Sequence, residues 1–174
     1  MDLLDFDPEE LYFEQEDTLE VQALINQAGS LYEDGDAELP LLQAFMRTPD
    51  SLNVLVALNR FYYYQHRLDE ALLVSERALN IINAKLPFTN DWQILALEDI
   101  SSTPKESLSW VRLYLFTLKS IGFLKMRLHD LETSKAIFEK LVSLDSENRI
   151  GAVGLLEIVT RKIDENNHIF QLYK

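Results

Sequence analysis

Three histidines, His66, His129 and His168, are the side chains best suited to acid–base chemistry near neutral pH or to holding a transition metal. A helical metal site needs two histidines four residues apart, as in an HExxH run, and the sequence has no such pair. Cysteine is absent, which removes thiolate metal sites, thiol nucleophiles and disulfides together. Gly151-Ala152-Val153-Gly154 has the spacing of a GxxG loop, but it is expected inside a helix, where both glycines would serve close packing. No catalytic residue, cofactor or metal is therefore expected, and the chain is not expected to be an enzyme. The segment with most to offer is Arg60-Phe61-Tyr62-Tyr63-Tyr64. On a helix these five side chains point all round, so they cannot stack a row of bases, but a tyrosine at a protein surface joins a large apolar area to a polar tip. That combination suits recognition of a polypeptide.

Charge narrows the class of partner. The net charge is −13, and it is segregated: 13 of the 29 acidic residues precede Arg47, the first basic residue, while the remaining 16 acids balance 16 bases. Such an electronegative N-terminal end repels phosphate backbones and anionic lipid, so neither nucleic acid nor membrane is an expected partner. The acidic N-terminus lacks the positive charge of a secretory signal, and no apolar run approaches the ~18 residues of a membrane span, so a cytoplasmic location is expected.

The elements that must position these residues are helices. Glycine and proline number 5 each, too few for the turns of a sandwich or barrel, and an all-α fold follows. Apolar residues recur at helical spacing at Val21, Leu24, Ile25 and Ala28, and again at Leu55, Leu58 and Tyr62. A period accompanies them: Ala37 and Ala71 stand 34 residues apart, as do Ala44 and Ala78. A third copy holds Leu118, Ile121, Gly122, Leu131, Ser134, Phe138 and Leu141, with Ser134 lying 63 residues after Ala71. About 29 residues are thus inserted between the second and third copies. Thr103-Pro104-Lys105-Glu106 reads as a capping box that starts a helix near Pro104 and runs it to about Met126. Residues 86 to 102 form the loop proper, too apolar around Trp92, Ile94, Leu95 and Leu97 to stand in solvent. Ser146 is expected to cap a last helix of 147–165, with Ala152, Leu155, Leu156 and Val159 covering the end of the stack.

In these copies the chain resembles the tetratricopeptide repeat (TPR) family, whose 34-residue unit pairs helix A with helix B through small residues at their crossing. Leu55, Leu58, Tyr62, Leu68, Ala71, Ala78 and Leu79 of the second copy carry the resemblance, while Asn59 stands where glycine or alanine is usual and Ser75 where an aromatic is common. The resemblance implies a right-handed helical-repeat stack of about three helix pairs plus a C-terminal capping helix. Its divisions are an acidic segment 1–17, a domain 18–166 and a tail 167–174. Within the domain the units are 18–51, 52–85 and 115–148, with an insertion 86–114 and the capping helix 147–165.

The resemblance also implies that the A helices line a concave groove for a protein or peptide partner. The residues on that face are Gln22 and Asn26 of the first unit, Asn53, Val56, Arg60, Tyr63 and Tyr64 of the second, and Phe116, Lys119, Phe123 and Arg127 of the third. Family members that clamp the carboxylate tail of Hsp70 or Hsp90 use Lys and Asn on these helices; Val56 and Arg60 occupy two of those places here, and the clamp is broken. The expected function is a non-catalytic adaptor or scaffold that binds a partner in the groove. Two alternatives remain open: a small chaperone resembling those of type III secretion translocators, which share this size, acidity and repeat number, and a self-associating structural subunit, for example a homodimer.

Overall fold

The computed structural model describes residues 17–32, 35–88 and 91–172, apart from the side chains of 169–172. Among the described residues the protein is all-α. Eight helices follow one another: α1 Leu19–Ser30, α2 Glu38–Arg47, α3 Leu52–Tyr64, α4 Leu68–Asn83, α5 Leu97–Ser101, α6 Leu108–Arg127, α7 Leu131–Leu144 and α8 Val153–Leu172. The chain divides into two compact units, Met1–Ile81 and Ile82–Lys174. Consecutive helices pack as neighbours within each: α1 on α2 and α2 on α3 in the first, α6 on α7 and α7 on α8 in the second.

Local chemistry sets where these helices begin. The Thr18 hydroxyl accepts from the Val21 amide at the start of α1, Ser51 does the same for Val54 in α3, and the Asp130 carboxylate accepts from Thr133 in α7. Each satisfies one of the amides that a helix N-terminus leaves without a partner. Burial tends to raise the Asp130 carboxyl, but its hydrogen bond from Thr133 and the Lys125 ammonium together hold it below the usual aspartate range.

The 63-residue relation is visible in the backbone. Between α3 and α4 the Gln65 amide donates to Phe61 O, His66 to Tyr63 O and Arg67 to Tyr62 O; between α6 and α7 Leu128 donates to Leu124 O, His129 to Met126 O and Asp130 to Lys125 O. Every member of the second set lies 63 residues after its counterpart. His66 and His129 both adopt left-handed backbone, with φ of 57° and 66°. These histidines are thus turn residues, and the turns they close make each helix reverse onto the next.

The interhelical crossings use the same positions with different chemistry. Asn59 of α3 is buried, and its amide donates to Ala71 O at 2.9 Å and Ser75 Oγ at 2.7 Å. At the corresponding place in α6 stands Gly122, where an added Cβ would lie 2.9 Å from both Ile137 Cγ2 and Phe138 Cε1. Ser134 of α7 donates its hydroxyl to Gly122 O at 2.7 Å. A larger residue on one helix is therefore matched by a smaller one on the other: Asn59 with Ser75, Gly122 with Phe138. Both departures from the family pattern in the second copy belong to one pair.

Four sequence expectations are corrected. Thr103 starts no helix: its hydroxyl donates to Asp99 O, closing α5, and a short 3₁₀ turn at Lys105–Ser107 precedes α6. The last helix begins at Val153 rather than 147, because Asn148 and Gly151 take left-handed backbone and the Asp145 carboxylate accepts from the Ile150 amide at 2.6 Å. It then continues to Leu172, through residues assigned to a tail. Gly151 accordingly serves a turn, and Gly154, with no neighbour within 4 Å of a Cβ placed there, serves no close packing. The segment 86–102 is also less enclosed than its composition implies. Leu95 is buried, with its carbonyl accepting from Lys140 Nζ of α7, yet Ile94 and Leu97 are exposed. Of the last-helix residues expected to cover α7, Ala152, Leu155 and Val159 are buried and Leu156 is half-buried.

Two stability tests follow. Gly122→Ala should lower stability by about 1–3 kcal/mol in urea denaturation, the usual range for overpacking a close crossing. Tyr114 of α6 is fully buried against Phe88 with its hydroxyl unpartnered, and burial with the nearby Asp91 charge pushes the phenol up to about 12. A raised folded pKa means that this contribution to stability is whole below pH 10 and is lost as pH rises from about 10 to about 12. Tyr114→Phe, which removes an unpaired hydroxyl, should leave the melting temperature at pH 7 unchanged or higher and shift alkaline unfolding to higher pH.

Candidate functional site

The first unit presents one face of α3, on which Asn53, Val56, Arg60 and Tyr64 follow at spacings of three and four residues. Asn53 and Val56 are half-buried, Arg60 and Tyr64 are exposed, and Tyr63 is half-buried. Arg60 lies over two rings, Tyr32 from the segment after α1 at 5.8 Å and Tyr64 at 5.9 Å. Tyr63 meets Tyr64 edge to face. Tyr32 is fixed in turn: its hydroxyl donates to Ala57 O, and its ring meets Phe61 edge-on. The guanidinium is thus held between aromatic surfaces that are themselves packed on α3.

Charge singles out the same residue. The first unit has four basic side chains, all arginine. Arg47 pairs with Glu20, Arg67 with Glu38 and Glu70, and Arg77 with Asp50. Among the described residues Arg60 has rings but no carboxylate partner. Arg67 serves an internal network in which Tyr62 donates to Glu38, and burial together with the Glu38 charge raises the Tyr62 phenol.

At the other end of this face the chain supplies an acidic contact of its own. Asn53 Nδ2 donates to the Asp17 carboxylate at 2.7 Å, and Gln22 Nε2 donates to the Asp17 carbonyl at 2.8 Å. Asp17 is buried there. The structure therefore brings Gln22 and Asn53 together through a residue placed in the acidic segment, while Asn26 stays exposed on α1. The rest of that segment, 1–16, lies outside the described residues.

In the second unit α6 carries Arg112, Lys119, Lys125 and Arg127 and no acidic residue, a basic helix in an acidic chain. Arg127 is exposed over the Phe123 ring at 6.0 Å, and Phe116 and Phe123 are half-buried. Lys119 departs from expectation. It is only 8% exposed, and its ammonium donates to Ile150 O at 2.6 Å, beside the Phe116 ring. The sequence reading left this side chain without a core to enter. The turn before α8 supplies one: Gly151 brings backbone to 3.5 Å from Nζ. Lys119 is thus a brace between α6 and the start of α8.

Two participants escaped the sequence reading. Tyr32 stands 34 residues before His66, at the turn position of the first unit, and only its aromatic type distinguishes it there. Asp17 was grouped with a solvated charge run, and nothing in its neighbours reveals the contact with Asn53. Among the described residues no cluster of three or more His, Asp or Glu could hold a metal, and no helix is long and apolar enough to cross a membrane.

A protein of Azotobacter chroococcum mcd 1, named as an uncharacterized 19.8 kDa protein in the nifW 5' region, is 40% identical over 159 residues, which make up 91% of this chain and 89% of that protein. The chain belongs to that protein's family. No protein-family model matches the chain, and no solved structure does.

The geometry separates two roles that the sequence grouped together. Lys119→Met should lower the stability of the protein, since a hydrogen bond from a charged group contributes about 1.5–3 kcal/mol. Arg60→Ala, at an exposed position, should change it by no more than about 1 kcal/mol. Parallel thermal melts of the two variants check this.

Proposed function

We propose that the protein is a non-catalytic binding module of the tetratricopeptide type, in which the α3 face of the first unit receives a segment of a partner polypeptide. One observation carries the reading: Arg60 is exposed and positioned between Tyr32 and Tyr64, with no carboxylate partner among the described residues, while the other three arginines of that unit are paired. Arginine and tyrosine dominate binding hot spots, because a preordered ring or guanidinium loses little freedom on association. The tetratricopeptide assignment is supported by the 63-residue recurrence of the turn hydrogen bonds and of the crossing positions.

The printed name of the Azotobacter relative puts its gene beside nifW, which makes the nifW product of that organism the first partner to test. Titration of the purified nifW product against the full chain, the Arg60→Ala variant and the Tyr64→Ala variant is the direct experiment. Binding should weaken by about tenfold or more in each variant, with circular dichroism unchanged, since truncating a hot-spot residue costs about 2 kcal/mol or more. Equal binding by all three proteins would remove the α3 face as the site.

A second reading, self-association, has an observation of its own. Leu39, Leu42 and Met46 form an exposed apolar stripe on α2, with Met46 82% exposed. Sedimentation equilibrium separates the readings, since Met46→Glu should disrupt a self-associated form and leave the Arg60 site untouched.

A further inference from the structure

We propose that the α1–α3 face of the first unit is a receptor for an extended acidic segment, and that residues 1–16 of the same chain are its resident occupant. The proposal deepens the reading above by naming the chemistry that the face accepts. It rests on that reading only in sharing the face.

Three observations converge. The face already holds one acidic residue by two side chains, with Asn53 on the Asp17 carboxylate and Gln22 on the Asp17 carbonyl. The second bond is the kind that binds an extended backbone irrespective of its side chain. Further along α3 stands Arg60, held between two tyrosine rings and without a carboxylate among the described residues. The segment that runs into Asp17 carries seven acidic residues and no basic one, together with Leu11, Tyr12 and Phe13. Its charge complements Arg60, and its apolar residues complement Val56, Tyr63 and Tyr64.

Distances fix a register. From Asn53 to Arg60 a helix rises about 10 Å, and from Arg60 to Tyr64 about 6 Å more. An extended chain covers about 3.3 Å per residue, so the first span corresponds to about three residues and the second to about two. Counting back from Asp17 along α3 brings Glu14 to Arg60 and Tyr12 to Tyr64. A carboxylate thus meets the guanidinium, and an aromatic residue meets the exposed ring. An external partner with the same pattern would have to displace this segment, which makes the segment a built-in competitor.

Paramagnetic relaxation on the full chain tests this without any partner. The chain has no cysteine, so Leu11→Cys provides a single site for a nitroxide label. A docked segment should broaden the amides of Arg60 to Tyr64 most strongly, more than those of Gln22 and Asn53. Arg60→Glu in the labelled chain should abolish that preference and move the strongest broadening back toward Asp17. Arg60→Gln should do so in part. Strongest broadening at Gln22 and Asn53 in the unaltered chain, as expected of a tether fixed only at Asp17, would overturn the proposal. So would a pattern that Arg60→Glu leaves unchanged. Because no partner is present, failure here is distinguishable from failure of the nifW-product titration.

Discussion

The close crossing of consecutive helices is the constraint on which the other features depend. At Asn59 and at Gly122 a helix brings its backbone or a short side chain against the next helix, and a hydrogen bond to a backbone carbonyl, Ala71 O or Gly122 O, closes the approach. The first contact satisfies a buried amide, and the second satisfies a buried hydroxyl. An unsatisfied polar group at either place would cost about 1–3 kcal/mol. With the crossing fixed, the rotation of α3 and α6 about their own axes is fixed too. That rotation decides which side chains enter the core and which face away.

On α3 the consequence is a strip that begins at a seated carboxylate and ends at a positioned cation. Leu55, Leu58 and Phe61 are buried, and the opposite stripe of Val56, Arg60 and Tyr64 is left for recognition. Arg60 gains its definition from Tyr32, which is itself pinned by Ala57 O. On α6 the same rotation sends Lys119 inward. Its ammonium finds the Ile150 carbonyl only because Gly151, in left-handed backbone, folds the chain back at that point. Corresponding positions of two similar helix pairs are thus put to different use, one for a surface and one for a brace.

Much of the fold was legible in the sequence because helix burial is periodic and the crossings demand small residues. The spacings of Ala37 with Ala71 and of Ala71 with Ser134 locate helix pairs without reference to any structure. Helix starts were less legible. Thr103 and Ser146 have the right chemistry for caps, but a hydroxyl can equally donate to a preceding carbonyl, as Thr103 does to Asp99 O. A nearby glycine and an asparagine in left-handed backbone can postpone a helix past its apparent signal. Within the site, Arg60 and its tyrosines could be read from residue type and helical face. The burial of Lys119 and the seating of Asp17 could not, since both depend on carbonyls and amides brought from 31 and 36 residues away.

The central claim is that the residue pair at each crossing is coupled, so that Asn59 with Ser75 and Gly122 with Phe138 are two solutions to one packing problem. The most direct measurement is a double-mutant cycle at the first crossing, with Asn59→Gly, Ser75→Phe and both together followed by urea denaturation of the full chain. The account predicts that each single change destabilises and that the double variant recovers much of the loss, with a coupling of about 1 kcal/mol or more. Losses that add to within about 0.5 kcal/mol would contradict it, because residues that share no packing constraint behave in that way.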